Sequence, residues 1–354
     1  MIGHRIKQAR QSAGLSLRDL AERAGVSAMA VSKYERDEST PSSTVLLALA
    51  QTLGVRVEYF FRQTEVELEA VEYRKHSKLP AKVEQRVLAE VRDRIERWLA
   101  LEEFLPTPWS IEFVIPENVP AHFKTLAEVE NAADAMREAW NLGRNPIPDL
   151  VDTLESHGIK AFISHAETDG KFDGLSAKAN GMPVVVVNAD RPGDRQRFTL
   201  AHELGHLVLA GRLAKGLDEE KACHRFAGAF LVPRSSVIEA LGEGRTWLEP
   251  QELRLLKQEW GLSMAGWMFR ALDLGILPKV RSQVMWAFFK SHGWDKREPD
   301  PQYPAEQTRL FEQRLYHALA EDLISEAKAA DLLGMSLAQL HACRRMECDG
   351  ADHQ

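Results

Sequence analysis

The stretch His202-Glu203-Leu204-Gly205-His206 constrains this chain more than any other. Two histidines four apart on a helix share one face, with Cβ atoms about 6 Å from each other, so both imidazoles reach one metal ion. The glutamate after the first histidine then sits beside a water at that ion. These residue types suit a catalytic zinc site, in which Zn²⁺ acidifies the water and Glu203 takes its proton. Phe198-Thr199-Leu200-Ala201 before the motif and Leu207-Val208-Leu209 after it are helix-compatible and largely apolar. The motif therefore rides a helix, with Asp194 expected as its N-cap after the breaker pair Pro192-Gly193. A buried helix with two hydrogen-bonded histidines would carry the same letters, so a third ligand decides between the readings.

Downstream, a helix expected over about 218–231 stops at Pro233 and carries Glu220 and His224 at i and i+4. Either supplies the third ligand while the other holds a histidine ring in place. Phe226, Phe230 and Leu231 would bury the opposite face. Cys223 lies about 100° around the helix from its neighbouring positions and reads as a packed thiol.

The N-terminal 61 residues read as five short helices. Ile6, Ala9 and Ala13 line the first, which Gly14 ends; Leu17, Leu20, Ala21 and Ala24 line the second, which stops at Gly25. Ser27 caps a third running to about Arg36. Thr40-Pro41-Ser42 precedes a fourth over 44–53, and a last turn carries Val57, Tyr59 and Phe60. The helix–turn–helix spacing over 17–35 is that of a DNA-binding unit. Val26, Val31 and Tyr34 would face inward, leaving Ser27, Ala28, Met29, Ser32 and Lys33 outward near the start of a recognition helix. Residues 1–36 hold seven Lys and Arg against three carboxylates, a surplus of four within a chain of net charge −7. That concentrates an electrostatic footprint in one place, with Arg10 expected at the phosphates. Ala28 and Met29 offer apolar contact to a thymine methyl, and Ser32 and Lys33 are the polar readers.

Two other stretches mimic this pattern, 253–274 around Gly261-Leu262-Ser263 and 326–341 around Gly334-Met335-Ser336. Their charges are balanced, so both read as packed helical hairpins.

The remaining chain supports a second, mixed domain. Residues 62–79 alternate charge and apolarity as an extended connector, and a long charged helix follows over about 81–104. Strands are expected at 110–115, 159–164 and, with four consecutive valines, 183–188. Helices are expected at 128–142, 147–157, 250–260, 264–274, 308–323 and 326–343, with a loop over 291–305 and a disordered tail after Cys348. A length of 354 residues suits about two domains. Cys223, Cys343 and Cys348 form no C-x-x-C pair, and their odd number fits a reduced cytosol better than a disulfide scaffold. The charged amphipathic start predicts no signal peptide. The apolar runs 182–187 and 226–232 are far too short to span a bilayer, so a cytoplasmic protein with no membrane partner is expected.

Residues 4–61 resemble the lambda-repressor-like, Cro/C1-type (Xre) helix-turn-helix family through Ile6-Lys7-x-Ala9-Arg10, Gly14-Leu15-Ser16, Leu20-Ala21, Gly25-Val26-Ser27 and Pro41-Ser42. Many members carry Gln where this chain has Ala28 and Met29. Residues from about 141 to 277 resemble the ImmA/IrrE metallopeptidase family. The landmarks are Leu142-Gly143-x-x-Pro146-Ile147-x-Asp149-Leu150, Glu155-x-x-Gly158-Ile159, Asp173-Gly174-x-Ser176, Val187-Asn188, Arg195-x-Arg197-Phe198-Thr199-x-Ala201-His202-Glu203-x-Gly205-His206, and Glu220 with Phe226-Ala227 and Leu231-Val232-Pro233. This second resemblance implies zinc on His202, His206 and Glu220, with Glu203 as general base. Where many members have Asn, this chain has His224, which leaves Glu220 and His224 both open as ligand.

Together the resemblances imply a mainly α chain. A five-helix domain over 1–61 and a connector over 62–108 precede an α+β zincin-like domain with a small sheet over 109–280, and a helical extension covers 281–354. The function they imply is a DNA-binding regulator whose zinc peptidase domain cleaves a repressor or partner protein. The alternative is a metal-sensing or antitoxin-like regulator whose zinc domain is structural. Expected partners are double-stranded DNA and a repressor-like protein substrate, with a homodimer allowed.

Overall fold

The computed structural model describes residues 2–62, 66, 68–69, 81–106, 111–165 and 172–347. Four α-helices open it: α1 (Ile2–Ser12), α2 (Leu17–Ala24), α3 (Ala28–Glu35) and α4 (Ser43–Leu53), followed by a 3₁₀ turn over Val57–Phe61 where a fifth helix was expected. Ile6, Leu20, Val31, Leu49 and Phe60 pack their shared core. Each boundary has a local cause. Ser16 and Asp19 form a capping box at α2, and Gly25 takes the left-handed conformation (φ 68°) that closes it. Ser27 then caps α3 by accepting from Ala30 N at 3.1 Å.

A long helix, α5 (Ala81–Glu102), joins this domain to the rest. Val87, Val91, Ile95 and Trp98 recur at helical spacing and lie under the sheet with Phe162, Leu175, Val184 and Val186. Its other side meets the N-terminal helices. Glu96 forms a buried ion pair with Arg5 of α1, and Arg62 reaches Asp93 at 3.1 Å. The helix expected within the 62–108 connector thus covers one face of the sheet.

The sheet holds β1 (Leu68–Glu69), β2 (Lys160–Ser164), β3 (Gly174–Ala179) and β4 (Met182–Asn188) in the order β1-β3-β4-β2. β2 runs parallel to β4, while β1 and β3 are antiparallel to their neighbours. The valine run of β4 is explained by burial on both faces: Val185 and Val187 point into the helical core, Val184 and Val186 toward α5. β3 was not expected. It returns to β4 through Asn180-Gly181, both at positive φ (48° and 83°), a two-residue hairpin turn. The strand expected at 110–115 does not form. Ser110 lies outside the described residues, and 111–115 is irregular, with Ile111 and Val114 exposed and no ladder to join. The connector residues 63–65, 67 and 70–80 and the tail from 348 also lie outside the described residues.

Helices cover the other face: α6 (Val129–Ala139), α7 (Leu150–Glu155), α8 (Gly193–Leu209), α9 (Glu219–Leu231), α10 (Arg234–Leu241), α11 (Pro250–Trp260), α12 (Met264–Asp273) and α13 (Lys279–Ser291). α10 and α13 were not expected, and α7 starts only at Leu150, because Asp149 caps it. Beyond lie α14 (Leu310–Ala320), α15 (Glu326–Leu333) and α16 (Leu337–Arg344), the last two separated at Gly334 (φ 73°), where the hairpin turn was expected. Cys343 is disulfide-bonded, which the reading of an odd cysteine count did not expect, and Cys223 is fully buried. No helix among the described residues is long and apolar enough to cross a membrane.

The loop between α13 and α14 straps these helices together through two carboxylates. Glu298 accepts from Met264 N and Ala265 N at the start of α12 and pairs with fully buried Lys257 at 3.0 Å. Glu306 accepts from Leu150 N and Val151 N at the start of α7 and pairs with Arg197 of α8 at 2.6 Å. Each carboxylate caps a helix and neutralises a buried cation, so the strap fixes where α8 begins.

Burial pushes the Glu155 carboxyl up to about 8, against the opposing pull of Lys160. Between about 4.5 and 8 the native state therefore holds a proton that the unfolded chain has lost. Its contribution to stability falls as pH rises through that window, by at most about 1.4 kcal/mol per pH unit. Replacing Glu155 by Gln should flatten this part of the stability–pH curve and raise stability at pH 8. Urea titrations of both proteins at pH 5.5 and 8 check it, and parallel curves would refute it.

Candidate functional site

α8 begins two residues earlier than expected, with Pro192 rather than Asp194 at the N-cap. Asp194 instead sits in the first turn, where it suits the helix dipole and pairs with Lys257 at 3.2 Å. From this anchored start the helix carries Thr199, His202 and His206 along one face. α9 crosses close to it. A Cβ on Gly205 would lie 3.2 Å from Phe226 Cδ1 and 3.3 Å from Cys223 Cα, so a larger residue would press α9 outward by a few tenths of an ångström, and glycine favours the approach that brings Glu220 to the histidines. Cys223 is spent in that contact and is fully buried, as expected of a packed thiol.

His202, His206 and Glu220 converge. Their ligand atoms are 3.2 Å apart between the two Nε2 atoms, 3.4 Å from His202 Nε2 to Glu220 Oε2 and 3.6 Å from His206 Nε2 to Glu220 Oε1. Ligands about 2.0–2.1 Å from a tetrahedral zinc stand about 3.3 Å apart, so the cradle has the size zinc requires. Two imidazoles and a carboxylate also leave a fourth position open. Glu219, a residue sequence reasoning missed, lies 3.3 Å from His206 Nδ1 and orients that ring. The signal for it was present: Glu219 directly precedes Glu220 in the first turn of α9. His202 Nδ1 is buried without a hydrogen-bond partner among the described residues.

His224 stands beside this group rather than within it. Its ring is exposed, 4.7 Å from the His202 ring and stacked at 5.8 Å on Phe198. Glu203 is 8% exposed, and no hydrogen bond or ion pair holds its carboxylate among the described residues. That carboxylate is available to a bound water or substrate.

On the helix-turn-helix surface Ser32, Ala28 and Arg10 are placed differently from the expected outward set. Met29 (69% exposed) and Lys33 face outward from α3, and Ser32 is half-buried. Ala28 packs partly against the domain core, and the Ser27 hydroxyl is engaged as the α3 cap. Arg10 donates to both oxygens of Glu35, at 2.6 and 2.9 Å, and to Leu15 O at 2.9 Å. Its charge holds α3 against α1. Arg18 and Arg23, on the outer side of α2, stand toward solvent.

Residues 6–60 match the helix-turn-helix family, and residues 154–268 match the family described as IrrE N-terminal-like domain. The chain is 24% identical over 293 residues to a propionyl-CoA carboxylase regulator of Cereibacter sphaeroides, covering 70% of this chain and 60% of that one. Its N-terminal part is 35% identical over 65 residues to the HTH-type transcriptional regulator ImmR of Bacillus subtilis, 18% of this chain and 51% of that protein. It is also 38% identical over 64 residues to a transcriptional regulator in the ATPase CF(0) region of Rhodospirillum rubrum, 18% of this chain and 59% of that one. The chain thus spans between 51% and 60% of the length of these relatives.

Proposed function

We propose that this chain, which joins an Xre-like helix-turn-helix domain to an IrrE/ImmA-like domain, is a DNA-binding transcriptional regulator with a zinc-dependent endopeptidase centre. The DNA-binding half rests on the helix-turn-helix match and on three relatives whose names are those of regulators. The peptidase half rests on one observation: Glu203, a carboxylate with no partner among the described residues, directly follows His202 of a donor set of zinc dimensions.

In this reading His202, His206 and Glu220 hold the metal, and Glu219 keeps the His206 ring turned toward it. Zinc bound there supplies a Lewis acid for water and for a peptide carbonyl. Glu203 accepts the proton of the attacking water and passes it to the leaving amine. Anchoring of α8 by Lys257 and Arg197 preserves the alignment these transfers need. The helix-turn-helix domain brings the centre to proteins seated on the same DNA, so the substrate is a repressor-like protein.

In a second reading, suggested by the name of a relative that spans 70% of this chain and is called a regulator, the centre holds metal without turnover. One experiment separates the two. The full chain is incubated with zinc and each repressor encoded near it, and products are read by mass spectrometry. A defined cut that disappears with a chelator supports the peptidase. Intact repressors under every condition, together with metal-dependent promoter occupancy, support the sensor.

A further inference from the structure

The helix-turn-helix geometry of α2 and α3 occurs a second time in this molecule. A constant step of 309 positions carries Ser16 to Ser325, Ala21 to Ala330, Gly25 to Gly334, Ser27 to Ser336 and Arg36 to Arg345. α15 and α16 have eight residues each, as α2 and α3 do. The caps correspond. Ser325 accepts from Lys328 N at 3.2 Å as Ser16 accepts from Asp19 N at 3.2 Å, and Ser336 accepts from Gln339 N at 3.2 Å as Ser27 accepts from Ala30 N at 3.1 Å. Gly334 and Gly25 take the same left-handed turn, at φ 73° and 68°. Burial corresponds too. Ala329 and Ala330 stand where Leu20 and Ala21 stand, and Leu340 replaces Val31 as the buried residue of its helix. An eleven-residue helix precedes each pair, α1 and α14.

The hairpin α11–α12 shares the turn but not the free face. It buries Met264, Trp267, Met268, Arg270 and Ala271 of its second helix, as expected of a packed hairpin. α16 departs from that expectation. Leu337, Ala338, Gln339, His341, Arg344 and Arg345 are all exposed.

The units differ in charge: residues 2–36 carry seven cations against three carboxylates, whereas 310–345 carry four against five, so the second unit would meet DNA through the cations at the end of α16 and not through a net surplus. In the second unit Asp331 is turned inward to Arg62 at 3.0 Å, which leaves Glu326 as the outward carboxylate of α15 and α16. Glu326 pairs with His341 and Arg344, and Arg345 with Glu347, all roughly half-exposed. Such surface pairs contribute about 0–1 kcal/mol and give way readily to a phosphate.

We infer that α14–α16 is a second helix-turn-helix unit that binds double-stranded DNA. Leu337, Ala338 and His341 meet base edges, and Arg344 and Arg345 meet phosphates. Arg62, at the end of the first domain, bridges Asp93 of α5 and Asp331 of α15, so both units are tied to one helix. The chain then reads two DNA segments at a fixed separation. This inference is independent of the zinc centre.

The test uses the full chain and a duplex enriched by it from a random library, with binding and nuclease protection followed across salt concentrations. The Arg344→Ala/Arg345→Ala variant is expected to make the log K against log salt slope shallower by about two and to lose one edge of the protected region. Ala338→Glu places a carboxylate in the groove at a helix-tolerant, exposed position. It is expected to weaken binding about tenfold or more, with melting temperature and zinc content unchanged. Two variants that fold as wild type and keep its slope, affinity and footprint would overturn the inference, including the case in which α16 serves a protein partner.

Discussion

Replacing Glu203 by Gln will abolish repressor cleavage while leaving zinc, fold and DNA binding in place. Glutamine keeps the size and hydrogen-bonding reach of the side chain but cannot accept a proton from water. Loss of a general base typically costs about 10²–10⁴ in rate, equivalent to about 2.7–5.5 kcal/mol of barrier. The cost falls on chemistry alone because Glu203 holds no other residue: its carboxylate has no partner among the described residues to release. On the proposed reading, a promoter that the wild type derepresses will stay repressed in the variant. A variant that switches normally with its zinc in place would end the peptidase account and leave a metal-holding regulator.

Replacing Arg197 by Met will lower stability by about 3–5 kcal/mol, the typical result of removing one partner from a buried ion pair. Arg197 is 1% exposed and donates to Glu306 and to Ile147 O, both at 2.6 Å, with its guanidinium 5.2 Å from the Tyr303 ring centre. Without it the Glu306 carboxylate stays buried, still accepting from α7 but facing no cation. Adding Glu306→Gln keeps that acceptor and removes the stranded charge, so the double variant should recover at least half of the loss. Urea midpoints at constant slope measure both effects. An Arg197→Met midpoint equal to wild type would show that the strap does not anchor α8.

Features set by local chemistry were legible before any coordinates. The helical register that aligns His202 with His206, the capping serines and left-handed glycines of α2 and α3, and the valines of β4 all follow from neighbours a few residues apart. What escaped depends on distant partners or weak signals. β3 contains no β-branched residue, so only the Asn180-Gly181 turn announced it. Ile111 and Val114 look like strand residues and lack a sheet to join. Asp194 reads as a cap until Lys257, 63 positions later in the sequence, claims it. Arg10 reads as a phosphate contact until Glu35 folds against it. At the metal centre, the sequence left Glu220 and His224 open because both share a helix face with correct spacing. Their separation depends on how closely Gly205 lets α9 approach, which spacing along one helix does not encode.

Elemental analysis of the purified chain is the decisive measurement, because the proposed peptidase requires a metal held between α8 and α9. The account predicts one zinc per wild-type chain, full zinc in Glu203→Gln, and none in His202→Ala/His206→Ala. It also predicts that Glu220→Ala releases zinc more readily than His224→Ala. Full zinc in the double histidine variant, or none in the wild type after purification with zinc present, would contradict it.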